Sequence, residues 1–328
     1  VETRLVSRVE PFTIARRYTY AYSGEASICP LCGGDGGDTI VARTDRRLKK
    51  LTSVCCNGCG LVRTDPIPTE AELNAYYGGE YRQDYQFAGF RPSRRHIGVS
   101  RREAEERLKM LQPLLRGGAR IMDFGSGSGE FVKAANDAGF SAVGVEPGEV
   151  FAQFARAEYR VEIVSGRQDS LAFLPESFDL ITAHHVLEHL RDPIATLARF
   201  SQWIKPTGFV YISVPDITAS GKPTFERFHF AHLYNFCEET LIAAGAKVGL
   251  TPDERFQQRG TTLVFRRSNS SGTLDSSPTR QAVVQRVLAA LPHTSVKQHV
   301  LTGAWLRPML KRALKYRRQV KASNRMLK

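Results

Sequence analysis

No stretch of the 328 residues approaches the ~20 apolar residues that a helix needs to cross a bilayer, so none of its own segments is a helical span. No internal repeat is present, which excludes a solenoid or propeller array. No apolar signal-type core precedes Cys29, although the chain starts at Val1 without a methionine and trimming stays open. The expectation is a cytoplasmic protein, peripheral at most to the inner membrane. Acidic residues are absent after Asp275, where twelve of the 46 Lys and Arg residues lie. The formal net charge of +13 therefore belongs to the tail, and the rest of the chain is close to neutral. A neutral body argues against a wide phosphate-binding surface on the core.

Among the residues that are present, the most informative run is Asp123-Phe124-Gly125-Ser126-Gly127-Ser128-Gly129. A short apolar segment (121–124) enters this glycine turn and a helix-like segment (130–138) leaves it. Glycines without a Cβ let a backbone approach a nucleotide closely. About twenty residues later a second strand, 143–146, ends in Glu146 and Pro147, and a carboxylate there suits the two hydroxyls of a ribose. The dinucleotide fingerprint G-x-G-x-x-G does not fit, because the spacing here is G-x-G-x-G. Further strands are expected over 161–164, 178–183 and 209–215, a helix from Asp192-Pro193 and another over 238–244, with a turn at 205–208. Strands alternating with helices imply a doubly wound, mainly parallel α/β sheet. Ligands of such sheets sit beyond the carboxyl ends of the strands, which brings Gly125, Glu146, His184 and Pro215 to one rim.

The run D-x-G-x-G-x-G, with "FDLI…HVLEHL…P…L…KP.G…VP" downstream, resembles the class I S-adenosylmethionine-dependent methyltransferases over roughly 140 residues. The resemblance implies a Rossmann-like core with a seven-stranded sheet and S-adenosylmethionine as cofactor. Asp123, Gly125, Ser126, Gly127 and Gly129 would surround its methionine part, Glu146 and Pro147 its ribose, Gln168 and Asp169 its adenine, and His184 would complete the rim. It also implies a final antiparallel hairpin, for which 246–250 and 261–266 are the candidates.

Cys29-Pro-Leu-Cys32-Gly33 and Cys56-Asn-Gly-Cys59-Gly60 are two C-x-x-C-G knuckles. Their spacing fits a closed four-thiolate zinc ribbon, hence structural zinc, although two disulfides would use the same residues. Cys55 reads as a strand residue and Cys237 as core. After the knuckles, "GLV…P.P…EL..YY" resembles bacterial sugar and deoxysugar methyltransferases, which act in cell-surface or secondary metabolism. Tyr76, Tyr77, Tyr81 and Tyr85 either cover the cofactor and acceptor or form the apolar face of a helix.

His185-Val-Leu-Glu188-His189 matches H-x-x-E-H, but it follows a strand of a cofactor-binding pattern, so a zinc peptidase is rejected. Ubiquinone-pathway O-methyltransferases carry Glu-x-x-Glu-His here, linked to a divalent ion; this chain has His185 in place of the first Glu. Farther on, Phe228-His229-Phe230-Ala231-His232 interleaves imidazoles with aromatics, which suits a general base or a stacked, inert cluster. The catalytic candidates are His232, His229 and His185, with His232 as base. Sugar C-methyltransferases show His-Glu-His at this place. Ala231 stands where the Glu would be, which favours methylation of a hydroxyl.

The expected organisation is a zinc-ribbon module (1–68), a helical connector or lid (69–117), the methyltransferase core (118–267) and a linker with a basic helical tail (268–328). Within the tail, 281–291 and 305–320 suit short helices. The second pairs Trp305 and an apolar side with cations, which fits an anionic membrane surface, RNA phosphate, an acidic protein partner or packing on its own body. The leading functional expectation is methyl transfer to a small molecule, nucleotide-sugar or glycan. An RNA methyltransferase and a non-catalytic scaffold are the alternatives.

Overall fold

The structure is a computed structural model. It describes residues 22–34, 37–46, 48–77, 92–166, 171–219, 224–256, 260–268, 277–291, 314 and 316–320. The chain builds two sheets. The first carries β1 (Thr39–Thr44), β2 (Lys50–Cys55) and β3 (Val62–Thr64), followed by α1 (Glu70–Ala75). Then come α2 (Arg94–Leu111), β4 (Arg120–Phe124), α3 (Glu130–Asp137), β5 (Ser141–Glu146), α4 (Glu149–Tyr159) and β6 (Glu162–Ser165). β7 (Phe178–His184), α5 (Pro193–Trp203), β8 (Ile204–Ser213), β9 (Tyr234–Asn235), α6 (Glu238–Ala246), β10 (Leu250–Pro252), β11 (Thr262–Arg267) and α7 (Ser277–Ala290) complete the order.

The large sheet has seven strands in the order β10-β11-β8-β7-β4-β5-β6. β6, β5, β4, β7 and β8 run parallel, and β11 and β10 pair antiparallel at the edge. The chain winds outward from β4 through β5 to β6, then returns to β7 on the other side of β4. That reversal opens the crevice in which such sheets bind ligands, at the carboxyl ends of β4, β5 and β7.

Period-2 alternation distributes the core. Met122, Phe124, Ile181, Ala183, Val210, Ile212, Leu263 and Phe265 share one hydrophobic cluster with Leu197 and Phe200 of α5 and Leu241 of α6. Ile121, Leu180, Tyr211 and Val264 point the other way, onto Ala104 and Leu108 of α2 and Phe131 and Val132 of α3. Asp123 and Thr182 fall on this second face by register. Asp123, Thr182 and Tyr211 are direct neighbours across β4, β7 and β8, so three buried side chains with polar groups form a row under α2.

Three expected boundaries move. Residues 246–248 do not start a strand: α6 runs to Ala246, Gly249 turns the chain at φ +73°, and β10 begins at Leu250. The expected turn at 205–208 lies within β8, whose pairing with β7 is irregular between Phe178 and Leu180. In the tail, α7 starts at Ser277, while Trp305 and most of the proposed second helix lie outside the described residues, as do Tyr81 and Tyr85. Asp192 caps α5 as its sequence implies, its side chain accepting from Ala195 N at 2.8 Å. No helix among the described residues is long and apolar enough to cross a membrane.

The small sheet, β1-β2-β3-β9, joins distant parts of the chain. Its fourth strand, Tyr234–Asn235, comes from the segment between β8 and α6. The strands that flank the second knuckle and the two residues that follow the aromatic–histidine segment are thus hydrogen-bonded into one sheet.

Candidate active site and metal-ligand clusters

At the end of β4 the chain needs a left-handed turn, and Gly125, Gly127 and Gly129 supply it with φ of +77°, +54° and +86°. The three glycines do different work. A Cβ on Gly125 would fall 2.3 Å from Val186 Cγ2, and one on Gly129 2.7 Å from Ala155 Cβ, so both are needed for packing. A Cβ on Gly127 would meet nothing within 4 Å, so the turn presents bare backbone to open space. Gly125 N and Ser126 N donate to Val145 O, tying the turn to β5. Glu146, at the end of β5, accepts from Gly127 N at 2.9 Å and Gly148 N at 2.7 Å. Its carboxylate is thereby fixed beside the turn, and the exposed Pro147 follows it.

Asp123 is buried, accepts a short hydrogen bond from the Thr182 hydroxyl, and is paired with Arg107 at 3.3 Å. Arg107, from α2, lies over the Phe131 ring with its guanidinium carbon 3.9 Å from the centroid. Its Nε is buried without a hydrogen-bond partner among the described residues. His184 ends β7 stacked on Tyr211. Burial, Arg107 and His185 push its pKa down to about 3, so it stays neutral at working pH. The sequence reading missed Arg107. It stands in a helix dense with charge, and only tertiary packing separates it from its neighbours. Gln168 and Asp169 lie outside the described residues.

A second cluster forms where the turn after β7 meets the aromatic–histidine segment. His185 takes φ +56° and leaves its side chain about half exposed, while Glu188 is buried. Glu188 Oε1 lies 3.4 Å from His185 Nδ1, 3.9 Å from His189 Nε2 and 3.9 Å from His232 Nε2. Neither Glu188 oxygen has a hydrogen-bond partner among the described residues. The His229 and His232 rings lie 3.7 Å apart with their planes tilted by 50°, and His232 sits edge-on to His189 at 4.7 Å. Tyr77 OH lies 3.4 Å from His189 Nδ1, whereas Tyr76 is buried against Phe230. The two tyrosines therefore divide: Tyr77 reaches the cluster and Tyr76 is core. Burial lowers the pKa of His189, and burial together with the neighbouring His229 and His189 lowers that of His232 well below its ordinary value. Both rings are held as neutral imidazoles.

Among the described residues, two groups bring metal-type ligands together: Cys29, Cys32, Cys56 and Cys59, and Glu188, His189 and His232. In the first, Cys29 and Cys59 sulfurs lie 3.6 Å apart and Cys32 and Cys56 3.4 Å. Zn–S bonds of about 2.3 Å around a tetrahedral ion require sulfurs roughly 3.8 Å apart, so the cluster suits one ion with little adjustment. Gly33 and Gly60, both at positive φ, turn the knuckles by donating to Cys29 O and Cys56 O. Cys55 is buried in β2 with its thiol pushed up to about 12 by burial, and Cys237 caps α6; neither joins the cluster.

Residues 94–254 match the family model described as a methyltransferase domain. The chain is 30% identical over 105 residues to the ubiquinone biosynthesis O-methyltransferase of Xanthomonas campestris pv. campestris, covering 29% of this chain and 43% of that protein. It is 32% identical over 124 residues to the protein of the same name from Azorhizobium caulinodans, covering 36% and 46%. The chain thus spans less than half the length of these relatives. An S-adenosylmethionine-dependent methyltransferase structure from Mesorhizobium loti aligns at TM-score 0.40 and 20% identity, over 50% of this chain and 98% of that one. The matched segment contains the glycine turn, the acidic end of β5 and the histidine cluster, and over residues 94–254 the chain is similar to methyltransferase domains.

Proposed function

We propose that the protein transfers the methyl group of S-adenosylmethionine to a hydroxyl of a small-molecule or glycan acceptor, a sugar being the first candidate. The open face of Gly127 beside the fixed Glu146 carboxylate carries the donor half of this reading. Glu146 is placed to receive the ribose hydroxyls, and the neutral His184 does not repel the cationic sulfonium. Arg107 and Asp123 form a cation–anion pair that complements the zwitterionic amino-acid end of the donor. Arg107→Gln is expected to weaken S-adenosylhomocysteine binding about 10- to 100-fold, the value of a charge-assisted hydrogen bond of roughly 1.5–3 kcal/mol. Binding of 5′-methylthioadenosine, which lacks the amino-acid end, should stay within about twofold; calorimetry on both ligands checks it.

The acceptor half rests on His232. A sulfonium is an activated donor, so the protein has only to align the acceptor oxygen with the methyl group and take its proton. His232 is held neutral and ready to accept, His229 packs against it with its ring tilted, and His185 stands at the exposed edge of the cluster. The carboxylate missing at Ala231 is replaced from another element: Glu188 faces His232 and supports the imidazolium formed when the proton arrives. The ubiquinone-biosynthesis relatives are named as O-methyltransferases, which supports the same reading. A second reading, a divalent ion held by Glu188, His189 and His232, is favoured by the buried Glu188 carboxylate, whose oxygens accept no hydrogen bond among the described residues.

We further propose that Cys29, Cys32, Cys56 and Cys59 hold a structural zinc ion. Closed thiolate coordination leaves no open position for substrate, so the ion supplies fold rather than chemistry. Metal analysis is expected to give one zinc per chain, lost in Cys59→Ser; a second equivalent lost in Glu188→Gln would establish the second reading. The decisive activity test is a screen with labelled donor against nucleotide-sugars, glycans, phenols and RNA. Labelling of RNA alone, abolished by deleting 276–328, would overturn the small-acceptor reading.

A further inference from the structure

The histidine-bearing segment is suspended between two bodies, and the cysteine module holds it at both ends. At its start, Arg46 N, just past β1, donates to Phe228 O at 2.7 Å. At its end, Thr64 of β3 donates from its N–H to Leu233 O at 2.9 Å and from its hydroxyl to His232 O at 3.3 Å. The next residues continue as β9 against β3, with Arg63 opposite Tyr234 and Val62 opposite Asn235. The methyltransferase body contributes one backbone bond from the opposite side, Leu233 N to Glu188 O at 2.9 Å.

β3 is in turn locked to the knuckles. Cys56 N donates to Leu61 O, one residue before the strand. The buried Arg63 guanidinium binds Asp38, directly before β1, at 2.5 Å and Ser27 O, two residues before the first knuckle, at 3.0 Å. Lys247, at the end of α6, donates to Pro30 O and Leu31 O inside the first knuckle. A continuous set of hydrogen bonds therefore runs from the thiolate cluster through Arg63 and Thr64 to the backbone of His232.

We propose that Thr64 is a positioning residue for His232, and that metal in the four-cysteine site sets the geometry of the histidine pocket. The glycine turn and Glu146 do not share these bonds, so loss of metal disarms the acceptor side while the donor side stays formed. The inference rests on the four cysteines holding metal and on the segment 228–233 facing the acceptor.

The test uses the full-length holoprotein. Diethyl pyrocarbonate modification of His229 and His232 is followed by peptide mass spectrometry, and S-adenosylhomocysteine affinity by calorimetry. Stripping the thiolate metal is expected to raise modification of both histidines at least tenfold with affinity changed less than about twofold. Thr64→Val with metal bound should raise modification of His232, and Thr64→Ser should restore the wild-type rate. The proposal is overturned if both histidines react at the holoprotein rate after stripping, or if donor affinity collapses in parallel. It is equally overturned if Thr64→Ser behaves like Thr64→Val. A preparation that never binds metal refutes the cysteine reading alone, and the two Thr64 variants still decide whether β3 positions His232.

Discussion

Gly127→Asn is expected to abolish binding of S-adenosylmethionine and S-adenosylhomocysteine while the protein stays folded. Asparagine tolerates the left-handed φ of +54° that this position requires, and its Cβ would enter empty space. No neighbouring side chain has to move, so the folding penalty is about 1 kcal/mol or less. The carboxamide, however, would fill the place where the proposed donor site presents bare backbone. Loss of affinity should exceed a hundredfold, with thermal unfolding shifted only a few degrees. Gly125→Ala gives the contrasting outcome. Its Cβ would strike Val186 Cγ2, so the turn carrying His185 must shift and stability must fall. Calorimetry beside a melting curve separates the two, and donor binding retained in Gly127→Asn would remove the donor from this turn.

The second large effect is acid lability. His96, His184, His189 and His232 all have their pKa lowered, in each case chiefly by burial. Their folded forms resist protonation, while the unfolded chain takes up protons near pH 6.5. Stability is therefore highest above the unfolded value and declines as pH falls below it. For His184, with a folded value of about 3, going from pH 7 to pH 5 costs about 2 kcal/mol. The other three add in the same direction. Urea unfolding at pH 7 and pH 5 should differ by several kcal/mol, and His184→Asn should remove one share of the difference. Equal stability at both values would mean that these imidazoles charge freely in the folded protein.

The parallel body of the sheet was legible because each strand leaves a local signature: an apolar run, then glycine, an acid or proline. The run from Asp123 to Gly129 specifies strand, turn and helix within seven residues, and Glu146 follows at the spacing one crossover requires. What was hidden depends on meetings between distant segments. Arg107 differs in no local way from the other arginines of α2, and only folding sets it on Asp123. Glu188 shows in the sequence only as the acid of the H-x-x-E-H run, and its approach to His232 crosses more than forty residues of chain. The same holds for Thr64 and for Tyr77, whose neighbour Tyr76 went into the core by a rotation of one helical position. The pattern at 205–208 read as a turn because Pro206 and Gly208 are turn formers, yet β8 absorbs them through its irregular pairing with β7.

The pairing of β3 with β9 bears on how the protein is taken apart in the laboratory. A fragment trimmed to the matched segment, 94–254, would keep Tyr234 and Asn235 while deleting β3, their one sheet neighbour among the described residues. Its amide groups would face solvent along a bare edge, inviting self-association. The smallest piece worth expressing therefore begins upstream of Cys29, and fragments cut to the matched segment alone should be judged by their aggregation before their turnover.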